Sequence, residues 1–206
     1  MGGGQCHASP VGDDEHLYVG IGGGPGGFGG PGGGRGFGGP GGGPGQQPGG
    51  RPGGFGGFGG NSALYAVKAG ASGDVTPKQG ETSSAGVAWS QPKSGPSAAS
   101  PLVYQGYVYI VEQNGGMISC FDAKTGKPEY RRERLPGARA FWASPWAYDG
   151  KVFCLDDGGQ AFVLRAGPQF KVLGKNSLDE MCWASPAVAG GALFLRGGER
   201  LYCIRP

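Results

Sequence analysis

Apolar and polar residues alternate along most of this chain with a period of two, in short runs punctuated by Gly, Asn and Asp. The clearest run is residues 107–112, Tyr-Val-Tyr-Ile-Val-Glu, with Gln105-Gly106 before it and the polar stretch 113–116 after it. β-branched and aromatic residues in such a bounded run predict a strand. The same grammar predicts neighbouring strands over 101–104, 117–122 and 128–134, joined by turns. No segment shows an apolar period of 3.6 with helix caps, so the chain reads as all-β.

The runs recur. The tripeptide Ala-Ser-Pro ends at Pro10, Pro101, Pro145 and Pro186, and eight residues after each proline stands an aromatic: Tyr18, Tyr109, Phe153 or Phe194. The residue before each aromatic is Leu17, Val108, Val152 or Leu193. The two uninterrupted intervals are 44 and 41 residues. The third copy predicts strands over 145–148, 151–155, 160–165 and 170–174, and the fourth over 186–189, 192–196 and 201–205, with no further strand. The first copy has strands over 17–21, 64–68 and 87–90, with a long insertion between the first two of these. Four short antiparallel strands at this period are the blade of a β-propeller. The expected fold is therefore an all-β partial β-propeller of about 3.5 blades, spanning 1–206. Each Ala-Ser-Pro should open a blade's innermost strand, and the turn between strands two and three should share a face with the residues leading into that strand.

Composition changes this picture in one place. Residues 22–60 contain 25 Gly, six Pro, four Phe, two Arg and two Gln among 39 positions, with no aliphatic side chain to bury. Such a tract cannot offset its ordering entropy and is expected to be a disordered insertion in the strand-two-to-three turn of the first blade. Lengthening a loop tenfold costs only roughly 2 kcal/mol of closure entropy. The net charge of +3 and the lack of any Lys/Arg run beyond Arg131-Arg132 give no basic face, so nucleic acid is not an expected partner. No apolar run reaches transmembrane length, and the N-terminal residues lack a basic segment followed by an apolar one, so no signal peptide is expected in this chain. The five cysteines form no Cys-x-x-Cys pair, and His7 and His16 lack an acidic cage, so no metal or disulfide framework is expected.

The segment 120–130, Cys-Phe-Asp-Ala-Lys-Thr-Gly-Lys-Pro-Glu-Tyr, resembles the docking motif A-x-D-x-x-T-G-x-x-x-W of PQQ-like propellers. Asp122, Thr125 and Gly126 match; Cys120 replaces Ala and Tyr130 replaces Trp. Asp149-Gly-Lys-Val-Phe153 and Leu64-Tyr-Ala-Val67 are also similar to that family, which includes BamB-type outer-membrane assembly scaffolds and quinoprotein alcohol dehydrogenases. The resemblance implies that Asp122 and Thr125 hold a turn while the aromatic docks on the neighbouring blade. It implies a periplasmic or other extracytoplasmic home for the full-length protein, and further blades, or a second copy, to close the ring.

A quinoprotein dehydrogenase would carry adjacent cysteines beneath the cofactor, calcium-ligating Glu and Asn, and an Asp base. No Cys-Cys pair exists here, and Asp13, Asp14, Asp156 and Asp157 read as solvated turn formers. No cofactor, catalytic or metal-ligating residue is therefore expected, and PQQ enters only through the resemblance. The expected function is a non-catalytic scaffold that binds a protein or small ligand at its channel face. The alternative is part of a PQQ-dependent oxidoreductase whose active site lies in other blades. Three residues before each proline stand His7, Ala98, Trp142 and Trp183. At the mouth of the channel, His7, Trp142 and Trp183 would form either a ligand rim or packing between blades.

Overall fold

The computed structural model of the chain describes residues 8–22, 62–96 and 98–205. The bulk of the glycine tract, His7 and Cys6 lie outside these, so the expectations placed on them do too. The described residues form fifteen strands and no helix, arranged as four separate antiparallel sheets in simple up-and-down order. Blade one holds β1 (Val11–Gly12), β2 (His16–Ile21), β3 (Ala63–Lys68) and β4 (Val87–Pro92). Blade two holds β5 (Leu102–Tyr104), β6 (Tyr107–Val111), β7 (Met117–Asp122) and β8 (Pro128–Arg134). Blade three holds β9 (Trp146–Tyr148), β10 (Lys151–Leu155), β11 (Gln160–Arg165) and β12 (Val172–Ser177). Blade four has only β13 (Ala187–Ala189), β14 (Ala192–Arg196) and β15 (Leu201–Ile204).

The period-two reading gives the strands nearly residue for residue, with differences at the ends. Pro101, Pro145 and Pro186 fall just outside β5, β9 and β13, since proline has no N–H for the ladder. The outer strand of blade three starts at Val172, not at Phe170, because Phe170 turns inward and meets Tyr130 of blade two edge-on, with ring centroids 5.5 Å apart. Ile21 pairs directly with Ala63, so the glycine tract joins two register partners of one hairpin.

The turns between the first two strands of blades two to four are two-residue turns with positive φ at both positions. The values are 51° and 78° at Gln105-Gly106, 49° and 69° at Asp149-Gly150, and 55° and 71° at Gly190-Gly191. This is the type I′ geometry, whose twist matches that of the flanking strands. Strand three pairs with strand four through a β-bulge in all three complete blades, at Ala66/Val67, Cys120/Phe121 and Val163/Leu164.

Burial explains why both faces of the central strands are apolar. In β6, Val108 and Ile110 pack with Tyr18, Leu64 and Trp89 of blade one, whereas Tyr109 and Val111 pack with Val152 and Phe162 of blade three. Alternate residues of one strand thus serve two neighbours. A smaller cluster, including Leu155, Cys182 and Leu195, fills the seam between blades three and four. Each blade has a forward face, toward the next blade, and a back face. First strands of successive blades lie side by side, β1 with β5 and β5 with β9, which places strand one innermost.

Candidate functional site

The Ala-Ser-Pro tripeptides form a ladder around the inner edge of the arc. The Ser9 N–H donates to Ser100 Oγ at 2.9 Å, the Ser100 N–H to Ser144 Oγ at 2.9 Å, and the Ser144 N–H to Ser185 Oγ at 2.8 Å. The tripeptide chemistry accounts for this. Proline holds the preceding serine extended and cannot donate, so the serine N–H has no partner within its own blade. The hydroxyl of the next serine supplies the acceptor. The sequence reading saw the repeat but gave the serine no role; its recurrence beside each proline was the available signal.

Between blades one and two the outer seam is closed by an aromatic dock. Trp89 Nε1 donates to Ala123 O at 2.9 Å, and the Tyr18 hydroxyl oxygen lies 3.1 Å from the same carbonyl. The turn that receives them is held by Asp122, whose Oδ1 accepts from the Thr125 N–H at 2.7 Å and the Thr125 hydroxyl at 2.6 Å. That hydroxyl bond, with the neighbouring N–H groups, holds the Asp122 carboxyl below the ordinary aspartate range. Gly126 has φ of 71°, and its open side lies against the Trp89 indole, where a Cβ would overlap the ring. The Gly126 carbonyl accepts from Gln91 Nε2 at 2.6 Å, and Gln91 in turn accepts from Arg131. Trp89 is thus the aromatic seated on the Asp122–Gly126 turn, a partnership the sequence reading missed because Trp89 lies 34 residues before Ala123.

Tyr130 occupies the corresponding position one blade on and faces blade three. It packs on Phe170, but its buried hydroxyl finds no hydrogen-bond partner, with Cys120, Tyr109 and Cys154 as its polar neighbours. Tyr109 makes a polar link across this seam, accepting from the Gly167 N–H at 2.7 Å.

The residues leading into each inner strand cross the strand-two-to-three turns, as the chain direction requires. The Phe141 N–H donates to Gln113 O at 3.1 Å, the Asp157 N–H to Ala140 O at 2.8 Å, and the Cys182 N–H to Asp157 O at 3.3 Å. Trp142 and Trp183 sit on this face and meet across the seam of blades three and four, with centroids 5.7 Å apart and planes 30° apart. Trp142 is half-buried, while Trp183 remains 56% exposed. Beside Trp183 an open depression of about 290 Å³ is lined by Met181, Ala184, Arg196, Gly197 and Gly198. Ala98 is half-buried and has no large side chain to add to the rim.

The acidic residues of the turns divide into two kinds. Asp13 and Asp14 are exposed, and Asp13 accepts from the Tyr18 hydroxyl at 2.7 Å. Asp156, expected to be solvated, is instead fully buried, accepting from the backbone N–H groups of Arg139, Gly158 and Gln160 at 3.1, 3.0 and 2.8 Å. Three donors satisfy the carboxylate and make burial tolerable. Burial pushes the Cys120 thiol up to about 12 and raises that of Cys154 as well, which makes both inert core groups. Among the described residues no three His, Cys, Asp or Glu side chains converge, and the buried cysteines lie in different strands and loops.

Four up-and-down antiparallel sheets, packed face to face about first strands that form the inner edge, define a partial β-propeller. No family model matches the chain, and no curated protein does. Among solved structures it is similar to BamB from Moraxella catarrhalis, at 10% identity and a TM-score of 0.41, covering 97% of this chain and 58% of that one. The chain therefore spans somewhat over half the length of that protein. Among the described residues no helix is long and apolar enough to cross a membrane.

Proposed function

We propose that this chain is a non-catalytic propeller scaffold of the PQQ-like kind, acting outside the cytoplasm, that binds a protein segment or small ligand at its channel face. The observation that carries the reading is the Trp142–Trp183 pair. Two indoles from adjacent blades stand side by side on the face where the blades converge, and the outer one is more than half exposed. Large amphipathic rings on the segments that lead into the inner strands have few rotatable bonds to freeze on binding, which is why tryptophans dominate interface hot spots. The neighbouring Arg196 adds a cation beside an apolar floor, suited to a peptide carboxylate next to an apolar side chain.

Further blades of the same kind fill the open seams of the arc in this reading. The test is selection from a displayed random-peptide library on the immobilised chain. The wild type should enrich a peptide class with apolar and acidic positions. The Trp142→Ala/Trp183→Ala protein should lose that enrichment while keeping its near-ultraviolet circular dichroism and urea midpoint. Unfolding of the double variant, or unchanged enrichment with the fold intact, would assign the pair to packing instead.

A further inference from the structure

The two ends of the arc are complementary in the way each interior seam is. Among the described residues the serine ladder leaves a donor open at one end and an acceptor open at the other. Among the described residues the Ser185 N–H meets no acceptor, and Ser9 Oγ receives no donor. The apolar faces behind these ends are open too. On the forward face of blade four, Leu201 and Cys203 occupy the positions of Ile118 and Cys120, as the pairing of Cys203 with Phe194 and of Cys120 with Tyr109 shows. Ile118 and Cys120 are fully buried by blade three, whereas Leu201 is 65% exposed and Cys203 is exposed. On the back face of blade one, Leu17 occupies the position of Val108 and Val152; both of those are fully buried, and Leu17 is 45% exposed.

Charge agrees with the same pairing. Arg205 follows β15 at the end of the blade that carries the strand-one-to-two turns. The corresponding turn of blade one holds the exposed Asp14 and Glu15. A ladder that repeats three times with the same serine chemistry specifies what its next member must present: a serine hydroxyl at the inner edge and an aliphatic back face. Blade one of this chain presents both.

We propose that blade four of one copy docks on blade one of a second copy, and that the reciprocal contact closes the two chains into one ring. This rests on the reading that the arc is part of a complete propeller. Four blades per copy give eight, within the four to eight typical of closed propellers. A head-to-tail contact made twice about a two-fold axis ends the assembly, whereas one that failed to close would run on into fibres. In the closed ring the Ser185 N–H donates to Ser9 Oγ of the second copy, and Leu201 meets the second copy's Leu17.

The test is sedimentation velocity on the full chain over a range of concentrations. The expected result is a shift from one to two chain masses, with alkylation of Cys203 slowing in step. Leu201→Glu and Leu17→Glu should each hold the protein at one chain mass with unchanged near-ultraviolet circular dichroism, because both side chains face solvent in the single chain. Ser9→Ala should weaken the dimer about thirty-fold, the effect of losing one net hydrogen bond of about 1 kcal/mol at each of its two seams. A folded chain that keeps one chain mass at every concentration overturns the second copy as occupant and assigns the seams to blades of a longer chain. A dimer that ignores both Glu variants, or open-ended oligomers, overturns it equally. Mass is independent of peptide binding, so this outcome leaves the channel-face reading to its own test.

Discussion

The Ser100 N–H donates to Ser144 Oγ across the seam between blades two and three, 2.9 Å away and 44 residues apart in sequence. The two serines are equivalent by repeat, so the bond ties one blade's inner edge to the same point on the next. The third rung, from Ser144 to Ser185, ties blade three to blade four in the same way.

Ser144→Ala should therefore destabilise the chain by about 1 kcal/mol, the net worth of a hydrogen bond whose donor is left without a partner. Ser185→Ala should cost a similar amount, since it strands the Ser144 N–H. Urea denaturation followed by tryptophan fluorescence measures both. A cost for Ser144→Ala well below about 0.5 kcal/mol, half the expected value, would show that water replaces the rung.

The two docking aromatics should respond in opposite directions. Trp89→Phe removes the bond to Ala123 O along with indole contacts, and should cost about 1–3 kcal/mol. Tyr130→Phe removes a buried hydroxyl that has no partner, and should leave the midpoint unchanged or raise stability by up to about 1 kcal/mol. Thermal melts of the pair, read side by side, check the contrast.

Gly126 and Gly106 separate steric overlap from backbone strain. Both have positive φ, at 71° and 78°, but a Cβ at Gly126 would strike Trp89, whereas one at Gly106 meets open space. Gly106→Ala should cost about 1 kcal/mol, the conformational penalty alone. Gly126→Ala should cost clearly more and should quench or shift the Trp89 emission, because the ring must move.

Acid should loosen the Asp122 turn. Thr125 lowers the folded pKa of Asp122 relative to the unfolded chain, so the group contributes stability above its unfolded value. That contribution is lost as pH falls through the folded pKa. Stability should decline on acidification below about pH 4, and the slope there should be shallower in Asp122→Asn. The carboxylate is mostly solvent-facing, so the change should be modest and should shrink in salt. Urea midpoints taken between pH 2.5 and 6, a span of about three to four units around the aspartate value, measure it.

Most of the strand pattern could be read from the sequence because both determinants are local. Alternation names the strands, and Gly or Asp in two-residue turns names the hairpins; Asp149-Gly150 and Gln105-Gly106 announce themselves. Interior contacts were less legible. Trp89 and Ala123, or Ser100 and Ser144, are joined only once the blades are stacked, and nothing local marks them as partners. The repeat predicts a strand from Phe170, but packing on Tyr130 pulls that residue out. Asp156 reads as solvated because it lies in a turn; three backbone N–H groups converge on it only after that turn folds. At the channel face the sequence supplied the two tryptophans, and the fold supplied their adjacency.

Strands three and four fall out of step at the same place in every complete blade, and that jog has a consequence for how the molecule meets its neighbours. A kinked outer strand is a poor template for another chain's backbone, so the rims of blades one to three are self-limiting. β15 differs: its four residues pair with β14 without a slip, and among the described residues no fourth strand covers them. Among the described residues, the straight edge open to another chain's backbone is therefore that of Leu201–Ile204.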